Sequence, residues 1–502
     1  MPVESQTIPD DHMKADRVGV PPGVSVAHLP SFELECGRSL INCPLAYTTY
    51  GTLNSAGENC VLVGHSLTSN TNVAEWWSCL IGAGPNRLLD LDRYYVVCVN
   101  YLGSPYGSAS PLTLDPASQK HCKCTDANCT RTRAYGKHFP RVTMRDNVNA
   151  QKELLTKVLG VTHLAMAAGG SMGSMLALEM AASYPDFVSE LLLVAGCAQH
   201  PDWAIGLGDS QRFAIYSDAT WQHGDYMNHY RGKRGVCAKD STTGSEVPEI
   251  HEYPRPDKGL YAARMAAMLT YRTPQSITAR FARQKHQKPE LDAVPNSKRI
   301  GLDSSENESE SDEDCDLGAN AYVRDNDLFS VESYLRYQGE KFVKRFDGAC
   351  YAHLTMTLDS HDVGRQRISR QDSGVAMHTE SAKRERCCNI MKDLPHRTLV
   401  VGIDSDNLYP IELQREMALC MPNSLLHTVK SPHGHDSFLI EIEELNKVTC
   451  EWRDGKYFGE RVTECNNSDT RDWARAMDEV HKNGWANAMD QTPSARTVGI
   501  FL

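Results

Sequence analysis

Five short runs of Val, Ile, Leu, Ala and Cys, at residues 60–63, 94–99, 163–168, 190–195 and 398–403, show no apolar-polar alternation. A strand with one wet face alternates, so unbroken runs of this length predict strands buried on both faces. Between the second and third runs, residues 146–159 set Val148, Leu154, Leu155, Val158 and Leu159 at near-helical spacing, and residues 172–183 after the third predict another helix. Strands alternating with helices predict an α/β protein with a mostly parallel sheet, helices on both faces and right-handed crossovers.

The strand rhythm stops near Pro201 and returns at Thr398. Long polar segments with Arg and Lys clusters and isolated apolar helices fill the interval. The pattern therefore predicts a core whose first part spans residues 30–200 and whose second part spans 394–455. A helical cap is inserted at 201–393, and 456–502 form a C-terminal extension. Within the insertion, the run SSENESESDEDCD inside residues 303–317 has almost nothing apolar to bury, which predicts a disordered surface loop. A partner-binding acidic motif is the alternative reading of the same run.

Composition narrows the class. At 502 residues, 41% hydrophobic and 23% charged, the chain is of ordinary globular type. A net charge of −12 argues against a broad nucleic-acid-binding surface, so an anionic substrate would need local positive sites. The seventeen cysteines are scattered, and Cys60, Cys98 and Cys197 sit in apolar runs, which predicts reduced thiols and a cytoplasmic protein. The first twenty residues contain no apolar stretch of signal type, no run of eighteen apolar residues occurs, and the ending GIFL is no retrieval signal, so no membrane partner is expected.

The chemistry gathers around AMAAGGSMGSMLALEM, a strand, a tight turn and a helix. Gly169-Gly170-Ser171-Met172-Gly173 fits G-x-S-x-G in the strand-turn-helix setting of a nucleophile elbow. The small residues permit a strained turn that exposes the Ser171 hydroxyl, and the following helix aims its positive end at developing charge. A serine hydroxyl needs a base and an orienting acid. Both follow in the chain order Ser, acid, His: Asp406 in SDNLYP and His435 in SPHGHDSFLIE. The second N–H of an oxyanion hole belongs to a loop after an early strand, which assigns the hole to Leu67 and Met172. His65 precedes the nucleophile and reads as a strand-end histidine, and Trp76-Trp77 as core or pocket wall.

Taken together, GHSLTSNTNVAEWW, NYLGSPYGSASPLT, GGSMG, SQRFAIYSD, SYLRYQGEKFVKRFD, SDNLYP and GHDSFL resemble the homoserine O-acetyltransferase family of the α/β-hydrolase superfamily. The SYLRYQGEKF block and the long polar insert look like its fungal members. The resemblance implies an α/β-hydrolase fold and ping-pong acyl transfer from acetyl-CoA, as co-substrate with no bound cofactor, to an amino-acid hydroxyl, that of L-homoserine in methionine biosynthesis. Ser171 would be nucleophile, His435 base and Asp406 its orienter. It further implies that Arg212 takes the substrate carboxylate and Asp436 the α-ammonium, and that the protein is a homodimer; Tyr226 stands outside this set. Three departures flank the expected site: Ser174 where the family commonly has a last glycine in GGSMGG, Ser66 and Ser69 in HSLTSN, and AGCAQH in place of an ATSAR-like run.

Several alternatives stay open on the sequence. The acceptor could be serine or a secondary-metabolite alcohol such as deacetylcephalosporin C, and the donor succinyl-CoA. The same three residues would serve an esterase, and a non-catalytic interaction protein would keep the fold alone. His121, Cys122, Cys124 and Cys129 could hold zinc, but their spacing fits no common zinc pattern, so no metal is expected.

Overall fold

The apolar runs become the centre of one nine-stranded sheet. In the computed structural model, which describes residues 5–7, 23–121, 133–228, 254–285, 328–367 and 380–462, its strands are β1 (Ser5–Thr7), β2 (Ser25–Glu33), β3 (Ser39–Tyr50), β4 (Cys60–Gly64), β5 (Tyr95–Val99), β6 (Leu164–Gly170), β7 (Val188–Val194), β8 (Arg397–Ile403) and β9 (Ser424–Val429). They lie in the order β1-β2-β3-β5-β4-β6-β7-β8-β9. The first three run antiparallel, β3 is antiparallel to β5, and from β5 to β9 every pairing is parallel. The five expected strands fall within two residues of the observed ones. The pattern missed β1, β2, β3 and β9, because β1 is three residues long, β2 and β3 mix buried and exposed positions irregularly, and β9, at the sheet edge, is only partly buried.

Alternate residues of the parallel strands feed two separate cores. Leu62, Val97, Ala167, Leu191, Leu193 and Val400 pack with helix α1 (Met144–Glu153) and helix α2 (Met172–Ser183). Val61, Val63, Val96, Met166, Ala168, Leu192 and Val401 pack on the opposite face with Trp77, Leu445 and Trp452. Both faces are thus dry, which is why these strands carry no polar alternation. Thr143 caps α1 reciprocally with Asp146, and the helix continues as a π-turn over Leu154–Val158. Helix α2 is buried from Met172 to Ala181, its one carboxylate, Glu179, being held by Arg145 and Arg367.

Between β7 and β8 the chain forms α3 (Asp202–Tyr216), α4 (Asp257–Thr270), α5 (Pro274–Phe281), α6 (Ser330–Val343), α7 (Gly348–Asp359) and α8 (Glu380–Lys392). Helices α9 (Ile411–Cys420) and α10 (Ile442–Arg453) follow β8 and β9. The acidic run at 303–317, Cys122, Cys124 and Cys129, and residues 463–502 lie outside the described residues. Among the described residues no helix is long and apolar enough to cross a membrane, and no group of His, Cys, Asp and Glu is arranged to hold a metal.

The expectation of reduced thiols needs one correction. Cys388 of α8 is bonded to Cys420 at the end of α9, across a Cα separation of 5.2 Å. Two helices far apart in sequence bring these side chains together, and spacing alone does not reveal that. Cys60, Cys98 and Cys197 are buried thiols, with burial pushing each pKa up.

Gly64 pairs with Gly169 in register, and the first turn of α2 crosses both. A Cβ on Gly64 would lie 2.7 Å from the Gly173 Cα, and one on Gly173 would collide with the Gly64 carbonyl. Helix and strands touch here backbone to backbone. Gly173→Ala is therefore expected to cost about 3 kcal/mol or more, because neither partner is a side chain that can turn aside. Urea unfolding of the variant beside the parent measures it, and an unchanged midpoint would contradict the packing.

Candidate active site

Ser171 sits between β6 and α2 at φ 57° and ψ −121°, a left-handed backbone that a non-glycine residue holds only under constraint. Its N–H donates to the Val194 carbonyl, and the α2 amides of Ser174 and Met175 return to its own carbonyl. The side chain is thereby pushed off the end of the sheet. At the ends of β8 and β9 lie Asp406 and His435. His435 Nε2 is 2.9 Å from Ser171 Oγ, and His435 Nδ1 is 2.7 Å from Asp406 Oδ2. Asp406 Oδ1 accepts from the amides of Leu408 and Tyr409 at 2.8 and 2.9 Å, which fixes the carboxylate. All three side chains are buried.

Aromatic rings hold the imidazole in place. Tyr409 and Phe438 meet His435 edge-on at 5.2 and 5.3 Å, and Tyr271 leans over it at 6.1 Å. Phe438 in turn lies against Gly170, where a Cβ would fall 2.6 Å from the ring, and its carbonyl accepts from the Trp77 indole at 3.4 Å. Trp77 is fully buried, in keeping with its reading as core. Burial alone would push the His435 pKa down. The carboxylates of Asp406, through charge and hydrogen bond, and of Asp436 outweigh it and raise the pKa above the ordinary 6.5.

The turn after β4 carries Leu67. Ser66 and Ser69 close it through a backbone bond at 3.0 Å and a hydroxyl contact at 2.7 Å, with Leu67 and Thr68 between them. Because β4 neighbours β6, this turn and the elbow leave the same edge of the sheet side by side. As first residue of α2, Met172 has an N–H that no residue of the helix can accept. His65 is fully buried beside Tyr101, contacts the Ser66 carbonyl at 2.8 Å, and has its pKa pulled down to about 4 by burial.

The substrate-binding expectations fare differently. Arg212 is buried and paired with Asp359 at 2.9 Å and Asp209 at 3.3 Å, so its charge is already answered. Asp359 also approaches His200, at 3.7 Å, and His200 contacts the Tyr409 hydroxyl at 3.4 Å. Asp436 pairs with Arg272 through Oδ2 at 3.0 Å. Burial raises the Asp436 pKa against the pull of Arg272, His435 and Arg264. Tyr226 is buried and donates to Asp347, the residue that caps α7.

Arg264 of α4 is the cation the sequence reading passed over. Its guanidinium lies over Phe342 at 4.8 Å and Tyr271 at 5.9 Å, its Nε is buried without a hydrogen-bond partner, and no carboxylate pairs with it among the described residues. The signal was a lone arginine seven residues before Tyr271 in an apolar helix, AARMAAMLTYR. Ser174, one departure from the family pattern, has its hydroxyl buried against Gly196, which belongs to another; a Cβ on Gly196 would lie 2.6 Å from the Ser174 Cβ.

A hydroxyl, imidazole and carboxylate in this chain can pass a proton from Ser171 to His435 while Asp406 holds the ring. The imidazole must be neutral to do so, so acylation by p-nitrophenyl acetate is expected to rise with pH through the elevated His435 pKa. Asp406→Asn removes the largest charge that raises that pKa. The limb should then move to lower pH while the rate falls by about 10³ to 10⁴-fold. A limb that stays in place would show that Asp406 does not set the pKa.

Comparison with known proteins agrees with this geometry. The alpha/beta hydrolase fold family matches residues 59–249. The homoserine O-acetyltransferase of Emericella nidulans is 36% identical over 85% of this chain and 86% of its own, and that of Salinibacter ruber 37% identical over 85% and 96%. Among solved structures, a homoserine O-acetyltransferase from Bacillus anthracis covers 88% of this chain and 98% of its own at TM-score 0.61 and 19% identity. Esterase E22 covers 86% and 99% at TM-score 0.62 and 20% identity, and both likenesses are of fold. By its similarity to the curated relatives across more than four fifths of its length, the chain belongs to the homoserine O-acetyltransferase family, built on the α/β-hydrolase fold.

Proposed function

We propose that the protein transfers an acetyl group from acetyl-CoA to the hydroxyl of L-homoserine in two steps. The observation that carries this is the buried Ser171-His435-Asp406 chain at a strained elbow, in a sequence whose curated relatives are homoserine O-acetyltransferases. Ser171 attacks the thioester carbonyl as His435 takes its proton. The oxyanion rests on the N–H groups of Leu67 and Met172, and CoA leaves with the proton from His435. His435 then deprotonates the homoserine hydroxyl, whose attack on the acetyl-serine releases O-acetylhomoserine and restores Ser171. No metal or bound cofactor enters the scheme.

Arg264, in place of Arg212, takes the acceptor carboxylate, because it lies over Tyr271, the ring beside His435, and no ion pair joins it to a carboxylate among the described residues. Asp436 meets the α-ammonium through Oδ1, its Oδ2 being held by Arg272. Helices α3 to α8 form a cap that keeps water from the acetyl-enzyme. The reading also takes the protein to be cytoplasmic, from its scattered cysteines and the lack of a targeting run, and a homodimer, as the family resemblance implies.

Mixing with acetyl-CoA alone should release CoA in a burst equal to the enzyme, lost in Ser171→Ala, with turnover only when L-homoserine is added. Continuous release without acceptor would make the protein a hydrolase. A burst that L-homoserine does not discharge would move the acceptor to serine or a larger alcohol. Arg264→Met is expected to leave the burst intact and raise the KM for homoserine about 10- to 100-fold, the worth of one charge-assisted contact. An unchanged KM would remove Arg264 from the carboxylate site.

A further inference from the structure

We infer that Arg345, which follows α6, is a positioning residue for acyl transfer: it locks the turn that presents the Leu67 N–H. Its Nη1 donates to the Thr68 carbonyl at 3.0 Å and to the Tyr106 hydroxyl at 2.8 Å, and its guanidinium lies over the Phe342 ring at 5.2 Å. Among the described residues no carboxylate pairs with it. An arginine that meets only neutral oxygens is in place for its directed donors, since an ion pair would be the commoner use of its charge.

The acceptors identify what is being held. Thr68 is the residue after Leu67, and its carbonyl points out of the Ser66–Ser69 turn, whose own bonds use the backbone and hydroxyls of the end residues. The Thr68 carbonyl and the Ser69 N–H belong to one peptide, and the closing bond ties it to the Ser66 carbonyl, whose own peptide carries the Leu67 N–H. Arg345 holds the far side of that pair of peptides. Tyr106 is equally fixed: it is buried, its carbonyl accepts from Asn100 Nδ2 at 2.7 Å, and its ring meets Phe346 edge-on at 5.6 Å. Asn100 directly follows β5, so the clamp joins the turns after β4 and β5 to the inserted helices. Burial raises the Tyr106 pKa, with Arg345 and Arg264 pulling against it, so the phenol keeps its proton at neutral pH.

An N–H that receives an oxyanion must be held within a fraction of an ångström, because the stabilisation falls steeply with misplacement. Freed from Arg345, the Thr68–Ser69 peptide, whose N–H bonds the Ser66 carbonyl, can tilt and carry with it the Ser66–Leu67 peptide that bears the Leu67 N–H. Ground-state binding of the ester does not use this N–H fully, but the tetrahedral intermediate does. The effect therefore belongs in the rate of acylation and not in KM.

The inference rests on the oxyanion assignment made above, and the test separates the two. Acylation is followed as the p-nitrophenol burst from p-nitrophenyl acetate, which needs neither CoA nor acceptor, with Ser171→Ala as the control for the reading itself. Arg345→Met is expected to slow the burst up to about 100-fold, with KM within about three-fold of the parent. Arg345→Lys and added methylguanidine with Arg345→Met should each restore part of the rate. Tyr106→Phe leaves the Thr68 bond and should lose less than Arg345→Met. A parental burst rate in Arg345→Met would overturn the inference. So would an equal loss in Lys and Met variants with no rescue by methylguanidine, which marks a packing role only. Retention of the burst in Ser171→Ala would instead overturn the reading on which the inference rests.

Discussion

A helix can begin directly on top of two parallel strands only where nothing stands between the backbones. Gly64, Gly169 and Gly173 provide that clearance, and the rest of the site depends on it. With α2 lowered onto β4 and β6, the chain entering it must turn sharply, which places Ser171 in a left-handed conformation and its hydroxyl beyond the strand end. The same descent sets the first amides of α2 beside the turn after β4. Strain at one residue is thus sustained by contact across three, each fixed by hydrogen bonds of its own.

The parts of the site come from two sources with different charge. The nucleophile, base and acid hang from strand ends of the sheet, where neighbouring carbonyls and amides fix them. The cations nearby, Arg264, Arg272 and Arg345, all come from the segment inserted between β7 and β8. In a chain of net charge −12, these three guanidiniums place positive charge beside the site. The inserted helices also bring rings, Tyr271 against His435 and Phe342 beneath Arg264, so the cations sit on apolar supports.

Much of this was legible beforehand, for physical reasons. Strands dry on both faces leave unbroken apolar runs, and an elbow demands small residues around its serine, so β4 to β8 and the position of Ser171 could be read directly. Asp406 and His435 followed from chain order. The surroundings of Arg212 and Arg264 were not legible, because pairing is decided by what lies opposite: Asp359 and Asp209 meet the former, while rings meet the latter. The joining of Cys388 to Cys420 and the hairpin of β2 and β3 likewise depend on contacts between segments that carry no local mark.

Ser174 and Gly196 give the sequence departures a shared meaning. The volume that a last elbow glycine would leave empty on α2 is taken by a hydroxymethyl group, and the room for it exists because the residue after β7 has no side chain. The two positions form one unit of space divided differently from the family pattern. A side chain at Gly196 opposite Ser174 would crowd the turn behind the nucleophile. A side chain can occupy this space from α2 or from the segment after β7, but not from both at once.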